Sequence, residues 1–541
     1  MTTMIVRAPQ AIVSATALNS SEDSNILSQV TFKINEAGII TALHPELLDD
    51  AALAAAGWLS DDPAIRDISP DQLLIPGLVD SHVHCNEPGR TAWEGFATAT
   101  AAAAAGAVTT IVDMPLNSIP PTTTVAALEQ KERAARGKTA ISVGFWGGIV
   151  PETLGTGEIA ALWEAGVFGF KCFLADSGVP EFPPLTTAEL YAAMEEVAAV
   201  DGLLLVHAED PSVLAEHAAS SPEGDALATS PRYADFLATR PAQAEAAAIA
   251  TVIQAAAQTG CRVHILHLSD ANSLPAIAAA KAQGVRLSVE TCPHYLSFIA
   301  EEIHNGATQV KCCPPIRSAA NREKLWQGLV AGVIDTIASD HSPCCAQEKQ
   351  FHYQEGTTSQ QHDDDIDFGG TGMGHTGNGA SFLRAWGGIA SVQLGFSVVA
   401  SAAQRRGISR EKVIAWMATN PAKLLGLSDR GTLAVGKRAD LAVIRPDSAF
   451  VVHNSQLCQR NKFSAYSEQA LAMRVTEVWL AGQPLNLTKL QQASSPDTGG
   501  IAPPRGQADT VNNIPPAPPL ELAWGTTYFV HRSGSKQEGN A

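Results

Sequence analysis

Four histidines, one lysine and one aspartate carry the chemistry legible in this chain. His82 and His84 lie two apart in LVDSHVH (78–84), so on a strand both imidazoles leave the same face. Two imidazoles on one face make a ligand pair for a cation, although taken alone such a pair also arises by chance. Lys171 sits in FGFKCFL (168–174) among apolar neighbours, where an ammonium ion is costly to desolvate. An uncharged amine there can react with carbon dioxide. The resulting carbamate is an anion with two oxygens, able to bridge two metal ions as lysine itself cannot. The alternatives are a lysine that snorkels its amine toward water and a Schiff-base nucleophile.

His207 closes the run LLLVHA (203–208) and His267 closes RVHILHL (262–268), each followed by polar residues, and Asp340 ends VIDTIASD (333–340). A carboxylate in that place can bind a metal and also exchange protons with a substrate. His264, three before His267, is expected on the opposite face of its strand as a structural histidine. The six residues together could hold two divalent metal ions about 3.5–4 Å apart, sharing a hydroxide whose pKa is lowered toward ~7.

The elements that must position these groups follow from the pattern of apolar runs. Short runs at 78–84, 108–114, 142–149, 168–174, 203–208, 262–268, 286–292 and 333–340 each precede a helical stretch, many of them Ala-rich, such as AWEGFATATAAAAAG or QAEAAAIATVIQAAAQTG. That is the alternation of a parallel sheet covered by helices. Eight units predict an α/β fold, a closed (β/α)8 TIM-like barrel, over residues 76–425, with the six residues at the C-terminal ends of strands one, four, five, six and eight, where barrel enzymes keep their catalytic groups. Closure itself is not readable from sequence. Several helices end at a glycine suited to a left-handed cap.

Residues 1–75 alternate apolar and polar side chains in short bursts, as in VTFKI (30–34), and the stretch 426–485 contains strand-like runs again. The two segments are expected to pair in one small β-sandwich. The segment 344–380, with its HDDDID run, is polar enough to be an active-site loop or lid; the acidic run reads either as a metal trap or as a solvated loop. The Pro/Ser/Gly-rich tail 486–541 is expected to be flexible or loosely docked.

With 36 Lys+Arg against 55 Asp+Glu, the formal net charge is −19, which argues against nucleic acid or an anionic membrane surface as partner. The nine cysteines are scattered, with adjacent pairs at Cys312 and Cys313 and at Cys344 and Cys345, a poor layout for a disulfide framework and one that suits a reducing, cytoplasmic compartment. No window reaches the ~18 apolar residues of a membrane span, and no leader is expected at the N-terminus.

The ordered set of His82, His84, Lys171, His207, His267 and Asp340 resembles the amidohydrolase superfamily, and within it the cyclic amidohydrolases: dihydroorotases, dihydropyrimidinases, hydantoinases and allantoinases. Residues 1–485 share the likeness. PGLVDSHVHCNEPGRTAWEGFATATAAAAAGAVTTIVDMPLNSIPPTTT (76–124), GFKCFL, ETCPHYL (290–296), KCCPPIR (311–317), SDHSP (339–343) and AWGGIASVQLG (385–395) are similar to allantoinases in particular. The resemblance implies that His82, His84, Lys171 and Asp340 hold the more buried metal, and His207, His267 and the same N6-carboxylated Lys171 the other. It implies zinc most often, with manganese or cobalt in some members, and a homotetramer.

Where dihydroorotases usually carry an arginine for the substrate carboxylate this chain has Asn86, which argues against a carboxylated ring. Asn117, in DMPLN, and Ser342 stand where the family reads substrate, with an Asx turn and a turn hydroxyl as the structural alternatives. The implied reaction opens the ring of a small molecule, allantoin, to give allantoate, with Asp340 moving the proton. A dihydropyrimidinase or hydantoinase is the alternative of the same class. Relatives that lost ligands serve as scaffolds; here every ligand position is filled.

Overall fold

The computed structural model describes residues 3–18, 24–219, 228–351 and 380–493. All eight expected runs form strands: Leu78–Val83, Val108–Asp113, Ser142–Phe145 continued by Gly147–Gly148, Phe170–Phe173, Leu203–His207, Arg262–Ile265, Leu287–Thr291 and Thr336–Ile337. Neighbours pair in parallel, in register rows such as Lys171, Leu205, His264 and Ser288. Alternate residues serve different cores. Leu204 and Val206 pack under the helices, whereas Leu203 and Leu205 join Val112, Trp146 and Phe168 in a separate cluster.

The barrel closes at two seams. The third strand is interrupted at Trp146, whose indole donates to Ser81 O at 2.8 Å, and there it changes partners: Ser142–Phe145 pairs with the second strand, while Gly147 N donates to Gly169 O at 2.9 Å. Glycine is needed at Gly148, where a Cβ would lie 2.6 Å from the Phe182 ring. At the second seam His84 N donates to His341 O at 2.8 Å and Val83 bridges His341 in parallel. The eighth strand is the shortest of the set because Asp335 takes over part of its pairing, accepting from Val289 N at 2.7 Å through its side chain.

The helix Phe96–Ala105 is buried along most of its length, its alanines small enough to lie flush on the barrel. Its end differs from a glycine cap. Gly106 keeps φ −92°, and the left-handed residue is Ala107 at φ 69°. The glycine serves close approach instead, since a Cβ there would lie 2.5 Å from Val392 O. The helix Ala242–Thr259 does end at a left-handed Gly260, φ 69°.

The N- and C-terminal segments meet in a separate eight-stranded sheet. Met4–Ser14 pairs with Asn25–Ile34, Ala64–Asp67 and Leu73–Pro76, and the last of these pairs antiparallel with Leu441–Arg445, which in turn holds Arg474–Leu480. This sheet has its own core, with Phe32, Ile40, Leu74, Leu441 and Trp479. The tail opens with a helix, Leu487–Ala493, whose Leu490 joins the barrel core. Most of the expected lid (352–379) with its acidic run, and the tail from 494 on, lie outside the described residues. All nine cysteines are free, and among the described residues no helix is long and apolar enough to cross a membrane.

Candidate active site

At the C-terminal end of the barrel the six residues converge. His82 lies within the first strand and His84 just past it, Lys171 lies within the fourth, and His207 ends the fifth. His267 and Asp340 stand just beyond the sixth and eighth strands, both with left-handed backbones, φ 35° and 45°. Such a conformation in non-glycine residues costs about 1–3 kcal/mol and clusters at functional sites.

The ligand-type atoms face one another. His82 Nε2 lies 3.3 Å from Lys171 Nζ and 3.2 Å from Asp340 Oδ1, and His84 Nε2 is 3.7 Å from that same oxygen. His207 Nδ1 lies 3.0 Å from His267 Nε2. The two groups adjoin, with the His82 and His267 ring centroids 5.5 Å apart.

Burial sets the protonation here. Lys171 is 1% exposed, and desolvation, opposed by Asp340 and Glu290, brings its amine down to about 8. Desolvation likewise drives His84, His207 and His267 below the ordinary histidine range, which leaves neutral imidazoles with a lone pair to offer. His267 Nδ1 is buried with no hydrogen-bond partner among the described residues. His82, His84 and Asp340 place three donor atoms within 4.8 Å of one another. Imidazole nitrogens with a carboxylate oxygen suit a zinc-class cation, so the residues present fit one.

Several supporting groups escaped the sequence reading. Glu290, on the seventh strand, accepts from His82 Nδ1 at 2.5 Å and from His264 Nε2 at 3.1 Å. Burial pushes this carboxyl up, but the two facing histidines outweigh it and hold it well below the usual range. His264 has both ring nitrogens engaged, by Ser288 Oγ at 2.7 Å and by Glu290, and contrary to the expectation of an opposite face it does not turn away from the site. The strand ends at Ile265 and the chain turns left-handed at His267, so the two-residue alternation no longer relates the pair.

Glu209 Oε2 lies 2.8 Å from His207 Nε2 and is ion-paired to Arg240; burial raises its pKa, but Arg240 and His207 bring it down to about 2. Asp80 Oδ1 accepts from His82 N at 3.1 Å and Ser339 N at 3.2 Å, tying the first strand to the eighth, and burial lifts its carboxyl to about 6. Signals for two of these were in the sequence. Asp80 shares the face of His82 and His84 on strand one, and Glu209 follows His207 by two.

Asn117, φ 65°, sets Nδ2 3.3 Å from His84 Nδ1. The contact is better made with the amide turned over, so that Nδ1–H donates to Oδ1, an oxygen otherwise without a partner among the described residues, and His84 Nε2 keeps its lone pair toward Asp340. Ser342 Oγ donates to Asp340 Oδ1 at 2.8 Å. Asn86 donates to Pro343 O at 3.1 Å, and its buried Oδ1 has no hydrogen-bond partner among the described residues.

The amidohydrolase family matches over residues 73–485. The chain is 47% identical to an allantoinase of Streptomyces avermitilis over 447 residues, 83% of this chain and 89% of that one. To an allantoinase of Saccharomyces cerevisiae it is 41% identical, covering 77% and 84% of the two chains. Among solved structures, L-hydantoinase (dihydropyrimidinase) from Arthrobacter aurescens superposes with a TM-score of 0.73 at 25% identity, over 90% of this chain and 96% of that one. With its closed eight-stranded barrel and the histidines, lysine and aspartate gathered at one end of it, the chain belongs to the amidohydrolase family, on its allantoinase branch.

Proposed function

We propose that the protein hydrolyses the ring amide of allantoin to give allantoate. The observation that carries the reaction type is the convergence of His82, His84, Lys171, His207, His267 and Asp340 on one buried point; the likeness to allantoinases carries the substrate. His82, His84, Lys171 and Asp340 would hold one divalent ion, and His207, His267 and the same lysine a second, with zinc as the ion of choice for this donor set. Lys171 would bridge as a carbamate, its nitrogen bonded to the carbon of carbon dioxide and one amine proton released. When bound, such a pair of ions polarises a carbonyl and acidifies water near neutral pH.

The side chains do the rest. Asp340 takes the proton of the attacking water and passes it to the departing ring nitrogen, so no covalent intermediate is required. Ser342 holds Asp340 Oδ1 and steers that transfer. The buried Oδ1 of Asn86 accepts a ring N–H, and the turned amide of Asn117 donates to a ring carbonyl, a match for a ureide that carries both groups. Arg90, Arg240 and Arg317 are each committed to a carboxylate, Glu181, Glu209 and Glu245, which leaves them poorly placed to bind a carboxylated ring.

Allantoate formation from racemic allantoin tests the reading, using protein loaded with zinc and bicarbonate and with dihydrouracil, hydantoin and dihydroorotate run in parallel. Selective turnover of allantoin is expected, and faster opening of another ring would reassign the substrate. Glu290→Gln, which keeps the shape and removes the charge that orients His82, is expected to lower metal affinity or turnover about 10–100-fold. Metal content and kcat measured side by side check it, and unchanged values would reduce Glu290 to core packing.

A further inference from the structure

A second set of ligand-type side chains converges beside the first. Cys292, the residue before the short helix Pro293–Ser297, and His294 within that helix place a sulfur and a ring nitrogen with an Asp340 carboxylate oxygen, all within 4.8 Å of one another. Cys292 and His294 are fully buried and Asp340 nearly so. Neither ring nitrogen of His294 has a hydrogen-bond partner among the described residues, an arrangement that is costly for a buried imidazole unless something pairs with it. Its ring rests edge-on against Tyr295, centroids 4.2 Å apart, which holds it in place without satisfying either nitrogen. Asp340 is common to this set and to the proposed catalytic one.

We propose that Cys292, His294 and Asp340 form an inhibitory site for a thiophilic divalent cation of the zinc and cadmium class, which captures Asp340 and stops turnover. One sulfur, one imidazole and one carboxylate suit such ions, whereas magnesium and calcium prefer oxygen ligands alone. On binding, the Cys292 S–H bond breaks, a sulfur–metal bond forms and the thiol proton leaves to solvent; His294 supplies a lone pair and Asp340 one oxygen. Asp340 is shared with the catalytic set, so the site acts when metal is present in excess of the catalytic pair. The inhibition rests on the proton-carrying role of Asp340 given above, while the binding does not.

Cadmium added to metal-replete protein tests both parts, with the thiolate-to-cadmium absorption and allantoin turnover recorded on the same samples. The wild type is expected to gain the absorption of one thiolate and to lose turnover in parallel. Cys292→Ser is expected to keep its basal turnover, lack that absorption and need at least about tenfold more cadmium for half-inhibition; His294→Gln is expected to weaken both effects. Absorption unchanged in Cys292→Ser overturns the site. Absorption lost while the inhibition curve stays put overturns the inhibitory role and points to exchange within the catalytic pair. The absorption is readable even if allantoin is not turned over, so failure of the substrate reading is distinguishable. Should Cys292→Ser not fold, Cys292→Ala and His294→Gln carry the same comparison.

Discussion

Replacing Lys171 with alanine is expected to leave fewer than two metal ions per chain and to lower allantoin turnover about a thousandfold or more. Lys171 adjoins His82 Nε2 at 3.3 Å, and burial brings its amine down to about 8, so an uncharged fraction is present near neutral pH to capture carbon dioxide. Without the carbamate no anion remains between the two sets of imidazoles. Metal-ion polarisation contributes several kcal/mol of transition-state stabilisation, and each 1.36 kcal/mol is a factor of ten. Metal analysis, turnover and the intact mass of the wild type, which should carry one added carbon dioxide, check this together. Partial rescue of the alanine variant by a short carboxylic acid is expected, because the cavity can then hold a replacement anion. A Schiff-base lysine predicts borohydride trapping with substrate instead, and a variant with full metal and full activity would sink the bridging role.

Asp340→Asn should be the next most damaging change. The amide keeps the size of the carboxylate and can still receive the Ser342 hydroxyl, which lies 2.8 Å from Oδ1, but it cannot accept the proton of the attacking water. General acid–base groups contribute about 10²–10⁴-fold, and a loss of that order is expected in kcat with little change in KM. The ion on His207 and His267 should stay bound, since neither residue depends on Asp340 for its partner. Steady-state kinetics with metal content separate the roles. If kcat survives, the proton moves through another group, and His294, close to Asp340 and without a hydrogen-bond partner among the described residues, becomes the candidate.

Much of the framework was legible because it is written in local patterns. Alternating apolar runs and Ala-rich stretches report strand and helix wherever a residue's neighbours in sequence are also its neighbours in the element. That is why all eight strands were found and why His82, His84, Lys171, His207, His267 and Asp340 could be assigned to particular strands or the turns after them, although Lys171 lies inside its strand and not at its end. Partners that come from another strand left no such trace. Glu290 is 208 positions from His82, and nothing in ETCPHYL says which histidine it will orient. Arg240 reaches Glu209 from the far side of a segment of 31 positions, and Cys292 and His294 meet Asp340 only because the seventh and eighth strands are neighbours.

From composition and order alone, the chain determined its barrel rhythm, the six candidate residues on or just past particular strands, and the resemblance that names their chemistry. Tertiary structure decided the closure at Trp146 and His341, the left-handed turns that swing His267 and Asp340 into the site, and the joining of strands 365 positions apart, as in Pro76 with Leu441, into one sheet. The division has one physical cause. Periodicity is a property of the backbone read over a few residues, whereas burial, hydrogen-bond satisfaction and pKa depend on which distant side chains share the same small volume.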